Sequence, residues 1–173
     1  MIFKIIGSIF IIFSTTMFSL YIESKHRVHI KDIEEMKKGF NLFSNSIRYT
    51  HLPLEEVMAE ISQKLSGISA EIFKKTGEYL SERKFESAKE AWENVINESF
   101  KKSNFEKEDI DIFMYFGKTI GYLDFESQYD NGKYIIEHID LTLNTLRNKL
   151  EKIQKMYRSL GILSGLGIVI ILF

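Results

Sequence analysis

Residues 136–160 read IEHIDLTLNTLRNKLEKIQKMYRSL. Their apolar positions Ile136, Ile139, Leu143, Leu146, Leu150, Ile153, Tyr157 and Leu160 are spaced 3, 4, 3, 4, 3, 4 and 3. That alternation places every one of them on a single stripe of an α-helix, the a/d seam of a coiled-coil-like element. A second seam lies near the other end of the chain, where Ile33, Met36, Phe40, Phe43 and Ile47 are spaced 3, 4, 3 and 4. Two such seams at opposite ends of one chain predict an antiparallel pair, each stripe covering the other. The alternative is pairing between protomers, which would make a homo-oligomer.

Each seam adjoins a stretch without charge. Residues 5–22 and 160–173 contain no Asp, Glu, Lys or Arg, and every acidic residue of the chain lies between them. A helix needs about 20 apolar residues to cross a hydrocarbon core. The first stretch meets this nearly unaided, with Lys4 at its start free to reach the headgroups. The second is shorter, and Tyr157 and Arg158 extend it at the interface. The expected organisation is a transmembrane anchor at 1–22, a helical domain at 23–158 and a second transmembrane helix at 159–173. Lys25, Arg27 and Lys31 follow the first anchor, and Arg147, Lys149, Lys152, Lys155 and Arg158 precede the second. Basic residues concentrated beside both membrane ends keep that side in the cytoplasm, so both termini are expected outside.

The remaining helices follow from local signals. Thr50 closes the first, because the peptide before Pro53 is pushed out of the α region. Pro53 suits the first turn of a second helix carrying Leu54, Val57, Met58, Ile61 and Leu65, which is expected to stop at Gly67. Further helices are expected over 69–82, 86–100, 106–120 and from about 124. One proline and the absence of cysteine argue against a many-stranded sheet and a disulfide scaffold. The fold class is all-α, an antiparallel bundle of about six helices flanked by the two membrane helices.

Candidate chemistry is sparse. Gly117-Lys118-Thr119 resembles the end of a phosphate-binding loop, but Ile112 stands where the pattern needs glycine and the segment reads as helix. His26 and His29 lack partners for a metal site and read as exposed residues beside the membrane, while His51 and His138 stand apart. A net charge of −1 offers no broad basic surface for nucleic acid. No catalytic, cofactor or metal site is expected. Gly161 and Gly165 form a G-x-x-x-G pair followed by Gly167, suited to close helix packing in a membrane, with the small face Gly7, Ser8 and Thr15 or another protein's helix as its expected counterpart. Phe113, Tyr115, Phe116, Tyr122 and Phe125 read as a core aromatic cluster, with a docking patch as the lesser reading.

Several short motifs occur in order: Arg48-Tyr49-Thr50-His51-Leu52-Pro53-Leu54, then Ala91-Trp92, then Phe116 to Asp124 with Gln128, then Tyr157 to Leu166. Together they resemble the stage III sporulation protein AB family of endospore-forming bacteria over nearly the whole chain. The resemblance marks Pro53, Leu54, Trp92, Gly117, Gly121, Asp124 and Gln128 as family positions. It implies a subunit of the mother-cell-to-forespore channel, seated in the outer forespore membrane with its helical domain in the mother-cell cytoplasm. That domain is similar to the cytoplasmic domains of the type II secretion F-protein. The implied partners are the sporulation ATPase, stage III sporulation protein AA, and other membrane subunits. The rivals are a membrane-anchored enzyme or regulator of envelope metabolism, and a secreted domain anchored at its C-terminus.

Overall fold

The computed structural model describes residues 2–49, 52–118, 120 and 125–172. Among these are six α-helices and no strand: α1 (Ile2–Tyr49), α2 (Leu54–Lys64), α3 (Gly67–Ser81), α4 (Ala88–Phe100), α5 (Lys107–Gly117) and α6 (Phe125–Leu172). The terminal stretches are not separate elements. They are continuous with the seam helices, so that α1 and α6 are each 48 residues long. Among the described residues no helix is long and apolar enough to cross a membrane, and the two flanking transmembrane helices expected from the sequence are not supported on that basis.

The chain divides into two compact units, residues 29–143 and residues 1–28 with 144–173. In the first, α2 packs on α3, α3 on α4 and α4 on α5. The α1 seam faces inward: Ile33, Met36, Phe40 and Phe43 are almost wholly buried, and Ile47 nearly so. Phe40 is the hub. Its ring lies 6.1 Å from Phe73 on α3, 6.0 Å from Trp92 on α4, and 5.9 and 4.6 Å from Phe113 and Phe116 on α5. Tilted and edge-to-face arrangements at such spacings contribute about 0.5–1.5 kcal/mol per pair beyond the area they bury.

In the same unit α6 runs antiparallel to α1. Lys37 meets Asp140 at 2.5 Å, and further along α1 Gly132 of α6 backs onto Ser44, whose side chain fills the space a Cβ at 132 would need. The buried positions of this part of α6 are Gly132, Ile135, Ile139 and Leu143, with Ile136 half-buried. Their spacing of 3, 4 and 4 follows a straight helix of 3.6 residues per turn rather than a strict 3.5 repeat. In the other unit, Leu146, Leu150 and Ile153 are half-buried, and Gln154 donates to Glu23 at 2.8 Å.

Helix boundaries depart from expectation in several places, with α4 opening at Ala88 rather than 86 and α5 closing at Gly117 rather than 120. α2 ends at Lys64, and Gly67 opens α3 rather than closing α2. Its φ of +63° explains why glycine stands there, since a Cβ is strained in that region. Pro53 is the N-cap of α2, one position before the expected first turn, and its carbonyl accepts from Glu56 and Val57.

Two substitutions separate the roles of the α1 stripe. Phe40→Ala leaves a void amid four rings and is expected to cost about 3–5 kcal/mol. Ser44→Ala removes a buried hydroxyl with no hydrogen-bond partner among the described residues, and is expected to change stability by less than about 0.5 kcal/mol or to raise it. Urea titration of both variants checks the pair; equal losses would contradict the assignment.

Candidate functional site: the three faces of α5

The sequence of α5, KEDIDIFMYFG, distributes three kinds of surface around one short helix. Ile110, Phe113, Phe116 and Gly117 recur at helical spacing and are buried. Asp109 stands in the first turn, where the helix dipole favours a carboxylate. Glu108, Asp111 and Tyr115 project outward and are exposed.

The inward face gathers two of the family positions. Trp92 of α4 is fully buried and its indole N–H donates to the carbonyl of Phe113 at 2.7 Å. Gly117 ends α5 against the same indole, where a Cβ would lie 2.7 Å from Trp92 Cδ1. This close approach accounts for the glycine. The Gly117-Lys118 pair lies at the C-terminal end of α5, where outward carbonyls repel a phosphate. Elsewhere, Pro53 and Leu54 begin α2 and Gln128 lies in α6; Gly121 and Asp124 fall outside the described residues. Gly7 and Gly167 are half-buried, and a Cβ at either would meet no described atom within 4 Å. Nothing is described of the side-chain surroundings of Ser8, Thr15, Gly161 or Gly165.

The N-terminal face holds a feature the sequence reading missed. His29 is 4 % exposed, not the exposed residue beside a membrane that was expected; His26 is half-buried. Nε2 of His29 lies 2.6 Å from Oδ2 of Asp109, itself 3 % exposed. The same Oδ2 accepts the backbone N–H of Glu106 at 2.7 Å, the N3-to-N-cap leg of a capping box. The other ring nitrogen, Nδ1, is 4.0 Å from Glu106 Oε1. One carboxylate thus caps α5 and ties it to α1. Two signals could have found it: His29 extends the α1 seam one step before Ile33, and Glu106 with Asp109 has capping-box spacing.

Burial opposes protonation of the His29 ring, but the Asp109 hydrogen bond and the charges of Asp109, Glu106 and Asp32 outweigh it, lifting the pKa above its ordinary 6.5. Burial raises Asp32 above 3.8, against the Asn104 hydrogen bond and the charges of His29 and Lys31. A group that binds its proton more tightly in the fold stabilises the fold only while protonated. The His29 contribution is therefore complete below about pH 6.5 and is lost as pH rises through the elevated folded value.

The remaining member of the expected aromatic cluster with a described side chain divides from the rest: Phe113 and Phe116 are core, whereas Tyr115 is 39 % exposed. Tyr122 and the Phe125 side chain are outside the described set. Among the described residues, no group of three or more His, Asp or Glu side chains is placed to hold a metal ion.

The class defined by these features is an all-α domain whose one tryptophan is locked into an aromatic core by a short acidic-capped helix. The family model of stage III sporulation protein AB matches residues 4–173, and the chain belongs to that family, which is named for sporulation rather than for a reaction. The stage III sporulation protein AB of Bacillus subtilis (strain 168) is 25 % identical over 169 residues, covering 98 % of each chain. A solved structure titled stage III sporulation protein AB superposes with a TM-score of 0.67 at 22 % identity, over 72 % of this chain and 97 % of that one. The last likeness bears on fold alone.

Two measurements test the site. Thermal unfolding of the full chain is expected to show a Tm that falls between pH 6 and pH 8; His29→Leu, which takes the imidazolium partner from the Asp109 carboxylate, is expected to cost about 3 kcal/mol at pH 6 and to flatten that slope. Gly117→Ala is expected to lose about 1–3 kcal/mol by forcing the Trp92 indole to move. An unchanged near-ultraviolet circular dichroism band in that variant would count against the packing assignment.

Proposed function

We propose that the chain is a non-enzymatic membrane scaffold subunit of a sporulation-specific transport complex between mother cell and forespore. Residues 1–22 and 159–173 enter the outer forespore membrane from one side, both termini lie outside, and residues 23–158 stand in the mother-cell cytoplasm. There the helical domain docks a secretion-type ATPase, stage III sporulation protein AA, and other subunits of the channel. Gly161, Gly165 and Gly167 pack against Gly7, Ser8 and Thr15 or against a neighbouring subunit's helix.

The observation that carries this reading is the exposure of large apolar side chains in both terminal stretches. Ile9, Phe10 and Phe13 of α1 are 60, 69 and 63 % exposed, and Leu163 and Ile170 of α6 are 64 and 75 % exposed. Leaving each such side chain in water forfeits about 1.5–3 kcal/mol relative to burial. A lipid phase removes that cost, and the whole uncharged run 5–22 has the length for it. The basic residues beside both stretches supply the orientation.

In membranes from expressing cells the full chain is expected to resist alkaline carbonate extraction, and a reporter fused after Phe173 to be active only outside the cytoplasm. The detergent-solubilised chain is expected to retain stage III sporulation protein AA on an affinity column. Release by carbonate, or a cytoplasmic reporter, contradicts the membrane arrangement; an ATPase that flows through contradicts the docking role.

A further inference from the structure

The outward face of α5 forms one wall of a groove of about 370 Å³ whose other wall is α6. Glu108 and Asp111, one helical turn apart, stand on the α5 rim, and neither has an ion-pair partner among the described residues. Tyr115 of α5 and Tyr134 of α6 meet at the groove with ring centroids 5.8 Å apart and planes inclined by 59°. Tyr134 is 57 % exposed, and its ring adjoins His138 at 6.3 Å. Ile112 and Ile135 supply an apolar floor.

Three chemistries thus meet: an apolar floor, aromatic faces and two carboxylates with no ion pair among the described residues. We propose that this groove binds an arginine-bearing segment of a partner protein. A guanidinium stacks on tyrosine faces and pairs with carboxylates through its planar fork, while its methylene stem lies on the isoleucines. Lysine supplies the charge without the stacking plane. A nucleic acid is disfavoured, because Glu108 and Asp111 would meet its phosphates. A purely apolar helix is disfavoured too, because it would bury two carboxylates without partners. The inference rests on the scaffold reading only in taking the guest to be a protein, and it names the chemistry of one docking face rather than its owner.

The test uses the full chain in detergent micelles and a fluorescein-labelled peptide with arginine at every third position, the others glycine and serine. Fluorescence anisotropy is expected to give saturable binding, weaker with lysine in place of arginine and absent with the uncharged isostere citrulline. Tyr134→Ala, and separately Glu108→Gln with Asp111→Asn, are expected to weaken binding about tenfold or more, with Tyr134→Phe close to wild type because the ring face is kept. Glu56→Gln with Glu82→Gln alters a different acidic groove, between α2 and α3, and is expected to leave binding unchanged. Unshifted Trp92 emission in each variant excludes misfolding. The proposal is overturned if wild type does not bind, if citrulline binds equally, or if the α2–α3 pair weakens binding as much. It is equally overturned if Tyr134→Ala changes only the oligomeric state, which would make the groove a contact between copies. No membrane insertion is needed for this readout, so a failure here is distinct from a failure of the carbonate and reporter experiments.

Discussion

The placement of one phenyl ring governs the folded unit at 29–143. Phe40 touches aromatic side chains from α3, α4 and α5, so three short helices find their positions against a single residue of a long one. None of these helices exceeds 15 residues, a length at which an isolated helix is marginal in water. Their stability comes from the shared core. Trp92 joins Phe73 and Phe116 at 5.5 and 4.9 Å, making the cluster closed rather than a row.

Aromatic packing alone does not specify rotation about the axis of α5. Two directional contacts do. The Trp92 indole donates to a backbone carbonyl near the C-terminal end of the helix, and the Asp109 carboxylate is held by His29 at the N-terminal end. With both ends fixed, the outward residues Glu108, Asp111 and Tyr115 are carried on a rigid element, which is the condition for an exposed set of side chains to present a defined surface.

How much of this was legible in the sequence depends on the range of the interaction. The α1 stripe from Ile33 to Ile47 could be read because a helix repeats its buried face every three or four residues, and each of those side chains is buried. The α6 stripe departs from its heptad at the start: Ile135, not Ile136, is buried in the 29–143 unit. A heptad assumed from the downstream pattern drifts against a 3.6-residue turn. The buried pair of His29 and Asp109 was invisible to periodicity, being 80 residues apart, and a polar residue on an apolar stripe looks like the end of the stripe. The same limit applies to Tyr115 and Tyr134, each an unremarkable residue on its own helix and a pair only after α5 and α6 are packed. Glycine commonly closes helices, yet Gly67, with its positive φ just after the N-cap Ser66, opens one.

The chain contains a single tryptophan, and it is wholly enclosed by the core that organises the 29–143 unit. Intrinsic fluorescence excited at the indole band is therefore a local optical probe, blue-shifted while that core is dry and moving to longer wavelength once water enters. Residues 1–28 and 144–173 contain no indole to contribute. A transition followed by emission reports the opening of one unit, whereas far-ultraviolet ellipticity sums helices from both. Any gap between the two curves would measure, with no label added, how independently the two units melt.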